Sequence, residues 1–516
     1  MAEKFDKFLA IVLVASFILR LYLSLVAVPL NGVETNHPNI IRYMAHAKAI
    51  PVIMPLQPGA SLYHDTPLFH MTAAALYFVF SQPGIFWGEF ILKLISPVFA
   101  LLTMILLYAT AIRLFGSKKI GFYAVLFYAF LPLSLRLTTY MTLDTEFAFF
   151  ILLSFYLLLE QRSWLAALSF GVAYNIKALA LFYFPFLAYV LYHQNKDAGY
   201  RKKLLVFFLI ALLFIAPWMI RNGVALHNPV YPMFNNLFDG YKHELDDSFN
   251  RGGSLGHFFY RNFPAKFFFG MFGFPEENKD IEFSFYGVSE DTVFNLIKLS
   301  DPWIVLLVNL WAMLIIVFSL PIWFGIYYLF KNAHVFSRYF LAALISGSLI
   351  HAVYIFLTSD TATRYYSPVF PLIALLWAYG LVNAIQKPFF QHNFVKKAGR
   401  LFIVGMLLGF IAVQTYETHL ISFEIHKYDA LFKWVNTYIP DDAYIYRVSG
   451  IVTYYTGNYY TDSVEKVRDT QGYIITQHVT DYGPSLYLPE KVPDELEVKE
   501  LYSNEKMGVR VYRVVT

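Results

Sequence analysis

Long apolar stretches alternate along this chain with short clusters of Lys and Arg. That alternation dictates both the solvent in which the chain folds and its orientation there. The runs 8–28, 204–218 and 304–330 hold a single charged residue between them, Arg20. Each is long enough, or nearly so, to cross a hydrocarbon core about 30 Å thick. The basic residues crowd into the connections. Arg113, Lys118 and Lys119 form one group, and Lys196, Arg201, Lys202 and Lys203 a second. Lys331 and Arg338 form a third, and Lys387, Lys396, Lys397 and Arg400 a fourth. Short connections rich in Lys and Arg stay on the cytoplasmic side. The acidic and histidine-bearing segments then fall on the opposite face.

With 58% of its 516 residues hydrophobic and 15% charged, the chain is too apolar for a soluble domain and reads as a polytopic membrane protein. Its net charge of +4 does not point to nucleic acid, because the basic residues are spread as topology signals. There is no Cys, which excludes disulfides, thiolate metal sites and cysteine nucleophiles. Lys4 and Lys7 precede the first apolar run, and no small-residue cleavage site follows, so this run reads as a first span rather than a cleaved signal. No internal repeat is visible, so an inverted-repeat transporter gains no support.

Spans are expected near 8–28, 89–112, 119–137, 145–160, 163–176, 178–193, 204–220, 302–330, 339–358, 366–386 and 400–418, eleven in all. The apolar segment 67–80 is short for a crossing, and counting it would put every later basic cluster outside. It is assigned instead to a surface or re-entrant helix in a first outer loop, 29–88. The pair 163–176 and 178–193 is read as two crossings turning at Lys177, for the same reason. The N-terminus is then inside, and 221–301 is a second long outer loop. The membrane domain covers 1–418. The tail 419–516 is polar, with a helix expected at 428–438 and β-like runs at 443–448, 472–477 and 509–514, enough for a small extracytoplasmic α/β domain.

The outer segments carry the residues with chemical potential. Asn31-Gly-Val-Glu34-Thr-Asn-His37-Pro38 follows span one. Pro38 suits the first turn of a helix, which leaves Glu34 in the connection before it. A carboxylate at the edge of low dielectric is a candidate base or ligand, against the plainer reading of a solvated loop acid. His37 reads as a helix cap or a ligand. Asp65, in Tyr63-His64-Asp65-Thr66-Pro67, reads as a cap for the helix near Pro67 or as a site residue. Asp144, in Tyr140-Met-Thr-Leu-Asp144-Thr-Glu146, is an acid just inside the outer boundary. There it either caps a helix or must be paired or used. Glu146 reads as structural. Arg136, Lys177, Arg221 and Arg364 stand singly at the outer edge, apart from the cytoplasmic clusters. They can grip a phosphate, or they can snorkel and pair with carboxylates.

In order along the chain, these motifs resemble those of the GT-C glycosyltransferases, especially prokaryotic relatives of protein O-mannosyltransferases and lipid A aminoarabinose transferases. The resemblance rests on Val33-Glu34-Thr-Asn-His37, Asp65-Thr-Pro67-Leu68, Arg113–Gly116, Leu143-Asp144 and Gly171-Val-Ala173-Tyr-Asn-Ile-Lys177. Further matches are Pro217-Trp218-Met-Ile-Arg221-Asn222 with Asn228-Pro229-Val230-Tyr231-Pro232, Arg364-Tyr365-Tyr-Ser-Pro368, and Tyr454-Tyr455-Thr456-Gly457. The family's first acid, expected beside Glu34, is missing here. The Trp-Trp-Asp signature of oligosaccharyltransferase catalytic subunits is also absent.

The resemblance implies a GT-C-like membrane domain and a polyprenyl-phosphate-linked sugar donor used at the outer face. The acceptor would offer a hydroxyl from a glycan, a lipid or a protein. In that scheme Glu34 is the base and Asp144 a second acid. Lys177, Arg221 and Arg364 bind phosphate, with His37, Asp65 and Tyr365 nearby. A divalent cation on Glu34, His37 and Asp144 is left open. The expected setting is a multi-pass cell-membrane protein among membrane lipids, with no nucleic-acid partner. The rival classes are a transporter or flippase, which would want charges near mid-membrane, and a non-catalytic scaffold.

Overall fold

The computed structural model describes residues 2–27, 32–50, 66–139, 142–195, 199–230, 302–357, 363–440, 443–446, 459–461, 464–477, 491–505 and 509–515, with isolated pieces at 238, 271, 276–278 and 282–284. Helix dominates. The N-terminal half runs α1 (Ala2–Val26), α2 (Gly32–Ala47), α3 (Leu68–Ser81), α4 (Ile85–Phe115), α5 (Lys118–Phe130), α6 (Pro132–Thr139), α7 (Asp144–Leu159), α8 (Ser163–Ile176), a 3₁₀ turn (Ala178–Tyr183), α9 (Phe184–Gln194) and α10 (Tyr200–Leu226). After the short hairpin β1 (Glu276–Asn278) and β2 (Glu282–Ser284) come α11 (Pro302–Lys331), α12 (Val335–Leu357), a 3₁₀ segment (Thr363–Val369), α13 (Phe370–Ile385), α14 (Pro388–Gln391) and α15 (Asn393–His426).

Each expected span coincides with a helix or a helix pair, yet the count of eleven crossings is not established. Among the described residues six helices are long and apolar enough to cross, and a seventh is added if α5 and α6, bent by 57°, form one span. The units Ser163–Ile176, Ala178–Gln194 and Val335–Leu349 are apolar but shorter. At 1.5 Å per residue the 14 residues of α8 fall well short of the bilayer core.

The α5–α6 break has a legible cause. Pro132 has no N–H to give the carbonyl four residues back, that of Tyr128. Arg20, fully buried in α1, supplies the missing donors. Its Nη2 donates to the carbonyls of Tyr128 at 3.2 Å and Ala129 at 2.9 Å and to Ser134 Oγ at 3.0 Å. Its Nη1 donates to the Ser134 carbonyl at 3.1 Å and Thr138 Oγ1 at 3.0 Å. The one intramembrane charge of span one therefore closes a broken helix.

At another crossing the backbones nearly touch. A Cβ added at Gly380 of α13 would lie 1.8 Å from the Pro321 carbonyl of α11, and one at Gly325 would lie 2.3 Å from the Leu376 carbonyl. Helix α13 is buried along its length, packed against α11 and α5.

Helix α2 corrects one expectation. It begins at Gly32, so Pro38 lies inside it and Glu34 in its first turn rather than in a connection. Pro38 forfeits only the bond to the Glu34 carbonyl, one lost bond near a helix end. His37 is correspondingly interior to α2 and is not its cap. The segment expected to be a surface or re-entrant helix is α3, which packs between α2 and α4.

The tail forms a mixed sheet in the order β4-β3-β5-β7-β6. Its strands are β3 (Tyr444–Tyr446), β4 (Tyr459–Thr461), β5 (Tyr473–Gln477), β6 (Val498–Asn504) and β7 (Val509–Val514). β3 pairs parallel with β4 and β5, whereas β7 pairs antiparallel with β5 and β6. Helix α16 (Asp429–Tyr438) buries Leu431, Phe432 and Val435, and Gln477 of β5 donates to the Tyr428 hydroxyl at 2.8 Å. The helix and the three strands expected from sequence are all present, with β4 and β6 in addition.

Candidate active site

Two breaks in the helix pattern bring the central pair together. Helix α7 starts after Leu143, whose side chain offers no cap. The hydroxyls of Thr142 and Thr145 instead donate to the Leu137 carbonyl at 3.1 and 3.3 Å, pinning the turn from α6 to α7. Asp144, the first residue of α7, is 2% exposed. Its carboxylate makes no capping bond to the backbone, which corrects the cap reading. It meets the Lys177 ammonium at 2.5 Å.

Lys177 reaches it because α8 stops there. Its backbone is extended, at φ −150° and ψ 118°, before the 3₁₀ turn begins. Asn175 holds the end of α8 against α10 by donating to the Phe214 carbonyl at 2.7 Å. The Asp144 side chain is 3% exposed and that of Lys177 18%, so the pair is nearly dry. A buried charge without a partner is costly, and here each is the other's partner.

Glu146, two residues on, is fully buried. One oxygen accepts from Ser96 Oγ at 2.9 Å, and the other has no hydrogen-bond partner among the described residues. This acid has no cation of its own in the way Asp144 has.

Arg221 lies near the end of α10. Its guanidinium stands 4.7 Å over the Trp218 ring and donates to Asn222 Oδ1 at 2.8 Å. Trp218 and Arg221 of the Pro-Trp-x-x-Arg-Asn order, three residues apart, thus meet on one helical face. Asn228 turns the chain beyond it, accepting from the Val230 amide at 2.9 Å.

His37 is buried and meets His70 of α3, Nδ1 to Nε2, at 2.9 Å. The side chains of Glu34, Arg364 and Tyr365, and all of Asp65, lie outside the described residues. The backbone places Glu34 in the first turn of α2 and Arg364 and Tyr365 in the 3₁₀ segment Thr363–Val369. The structure therefore joins Asp144 to Lys177, while His37 and Arg221 sit in contacts of their own. Among the described residues no group of three or more metal-ligating side chains gathers, so the open question of a cation on Glu34, His37 and Asp144 gains no support from the two described members.

The sequence reading passed over three contacts at this end of the bundle. Arg42 of α2 grips Glu89 of α4 through Nε at 2.9 Å and Nη2 at 2.9 Å. Lys93 donates to the carbonyls of Leu25 and Ala27 at 3.1 and 3.2 Å, closing the C-terminal end of α1. His70 completes the histidine pair. The available signal was Glu89 with Lys93, two charges one turn apart inside an expected span.

Comparison with known proteins follows the same lines. The family model of dolichyl-phosphate-mannose-protein mannosyltransferases matches residues 85–220, the segment that holds both Asp144 and Lys177. No curated protein matches. Among solved structures, ArnT from Cupriavidus metallidurans bound to undecaprenyl phosphate is similar with a TM-score of 0.59 and 14% identity, over 98% of both chains. The oligosaccharyltransferase AglB from Archaeoglobus fulgidus, in complex with an inhibitory peptide and a dolichol-phosphate, is similar at 0.50 and 12% identity, over 88% of this chain and 64% of that one. By the family model over the segment of the ion pair, and by an architecture shared over nearly the whole chain, the resemblance to the GT-C membrane glycosyltransferases is borne out.

Proposed function

We propose that the protein is a membrane glycosyltransferase that moves a sugar from a polyprenyl-phosphate-linked donor to an acceptor hydroxyl at the outer membrane face. The observation that carries this reading is the nearly dry Asp144–Lys177 pair inside the segment matched by the mannosyltransferase family. A lysine oriented by a buried carboxylate is a fixed positive charge at the end of a helix break, which a lipid phosphate can approach. The isoprenoid phosphates named in the ArnT and AglB structures support the donor class.

The chemistry asks for two things. A hydroxyl is a poor nucleophile until its proton is taken, and we assign that step to Glu34 at the start of α2. The acceptor oxygen then bonds to the anomeric carbon as the bond from that carbon to the phosphate oxygen breaks. The electron pair leaves with the polyprenyl phosphate, and fixed cations stabilise the charge that develops there. Lys177, Arg221 and Arg364 fill that role, while Asp144 orients Lys177. Attack opposite the phosphate inverts the anomeric centre. His37, Asp65 and Tyr365 are assigned to the surrounding substrate contacts.

The direct test incubates purified protein with radiolabelled polyprenyl-phosphate sugars and candidate glycan, lipid and peptide acceptors, and follows the label by thin-layer chromatography. Label leaving the polyprenyl phosphate for an acceptor in wild type, and not in Glu34→Gln, is the expected result. Label that stays on the donor with every acceptor while the lipid crosses the bilayer would point to a flippase.

A further inference from the structure

We propose that the groove between α2 and α3 holds one hydrocarbon chain of an anionic membrane lipid, whose phosphate is received by Lys48. The groove is a cavity of about 350 Å³, within the range of small-molecule sites, roughly 300–1,000 Å³. Met44, Ala45 and Ile50 line one side, and Met71, Ala74 and Phe78 the other. Among the described residues Lys48 is the one charged residue of its walls, and its ammonium sits 5.4 Å from the centre of the Phe78 ring. Met71 and Phe78 are left 47% and 42% exposed, so the hydrocarbon face is open to a ligand.

The backbone at Lys48 is the second observation. It closes α2 with its amide donating to the Met44 carbonyl at 3.0 Å, at φ +53°. That left-handed closing position is one that Gly fills without strain and a lysine does not. A charged side chain at such a position calls for a use of its charge. A neutral lipid would need no cation at the mouth, and a soluble anion would need no apolar walls. An anionic amphiphile uses both, and the surrounding bilayer supplies it. This proposal is independent of the glycosyl-transfer reading, since none of its residues belongs to that site.

The experiment reconstitutes the full chain in nanodiscs of equimolar phosphatidylglycerol and phosphatidylcholine and counts retained lipids by native mass spectrometry. Wild type is expected to keep phosphatidylglycerol over phosphatidylcholine by about tenfold, the scale of one charge-assisted contact. Lys48→Gly should melt no lower than wild type, because the strain is relieved, yet lose the preference. Lys48→Arg should keep it. Ala75→Phe, an exposed position that lines the groove, should block the chain and abolish retention of either lipid above background. The same preference in Lys48→Gly, undiminished retention in Ala75→Phe, or no preference in wild type would each overturn the proposal.

Discussion

Asp144, Lys177 and Arg20 are charged groups held by partners inside the bundle, and each partnership predicts a measurement. Removing one member of a buried ion pair strands the other and typically costs about 3–5 kcal/mol. Asp144→Asn and Lys177→Met should therefore each lower the melting temperature in detergent, and the double variant should recover part of the loss. Equal losses that simply add would mean the two side chains do not depend on one another. Lys177→Met should in addition raise the donor KM or lower kcat by about tenfold to a hundredfold, leaving the acceptor KM alone, because charge-assisted contacts contribute roughly 1.5–3 kcal/mol each. Arg20 makes a parallel case. Arg20→Met removes five hydrogen bonds and orphans the Tyr128 carbonyl, leaving that of Ala129 only the bond from Ser16 Oγ at 3.4 Å, at a cost of about 1–3 kcal/mol for a stranded group. Lys at that position, with three donors in place of five, should restore only part. Normal stability in Arg20→Met would remove its assignment as the closure of the α5–α6 break. Asp144 and Lys177 were both legible as candidates, from an acid at a helix start and a lone cation at a short turn. Their pairing was not, because 33 residues separate them and no local rule links the start of α7 to the end of α8.

Secondary elements were read more surely than their ends. Apolar length placed the helices correctly because a helix satisfies all of its backbone bonds within one segment, as lipid requires of a single apolar run. The start of α2 was misread because Pro is favoured in a first turn, whereas Pro38 sits in the seventh position of this helix and costs one bond only. Crossings between helices were not legible at all. Gly380 reads as an ordinary helix glycine until α11 is seen lying on it. Gly380→Ala puts a Cβ 1.8 Å from the Pro321 carbonyl. Two backbones must then separate, and overpacking of this kind costs about 1–3 kcal/mol or more. Gly405 of α15 has open space around it, and Gly405→Ala should be neutral or gain up to about 1 kcal/mol of helix propensity. Thermal unfolding of both variants side by side checks this. A Gly380→Ala protein as stable as wild type would mean that α11 and α13 do not cross so closely.

At the scale of the whole molecule, charge asymmetry predicts which face the site occupies. Lys331 at the end of α11 and Lys387 before α15 are basic residues that the positive-inside bias expects on the cytoplasmic side. If the eleven expected spans all cross, the C-terminal sheet domain lies on the opposite side from these residues, together with the Asp144–Lys177 end of the bundle. The parity rests on α3 not crossing, and its 14 residues at 1.5 Å each span too little hydrocarbon unaided. Because the chain has no Cys, single introduced cysteines report sidedness without background. Cys at Asn332 and Lys387, both exposed, should react with an impermeant maleimide only after the membrane is opened. Cys at Lys491 and Glu505, exposed in the tail domain, should react in intact cells. Labelling of all four from one side would mean that α15 does not cross, and labelling of all four only after the membrane is opened would put the tail domain in the cytoplasm. The proposed transfer at the outer face would then proceed without the tail domain. Labelling from outside of a further Cys at Ser117, which follows α4 and precedes the α8–α9 pair, would mean that α3 crosses. The basic clusters would then violate the positive-inside bias, and Glu34 and Asp144, which flank that helix in sequence, would be parted onto opposite faces, leaving no single site for base and phosphate-binding lysine to share.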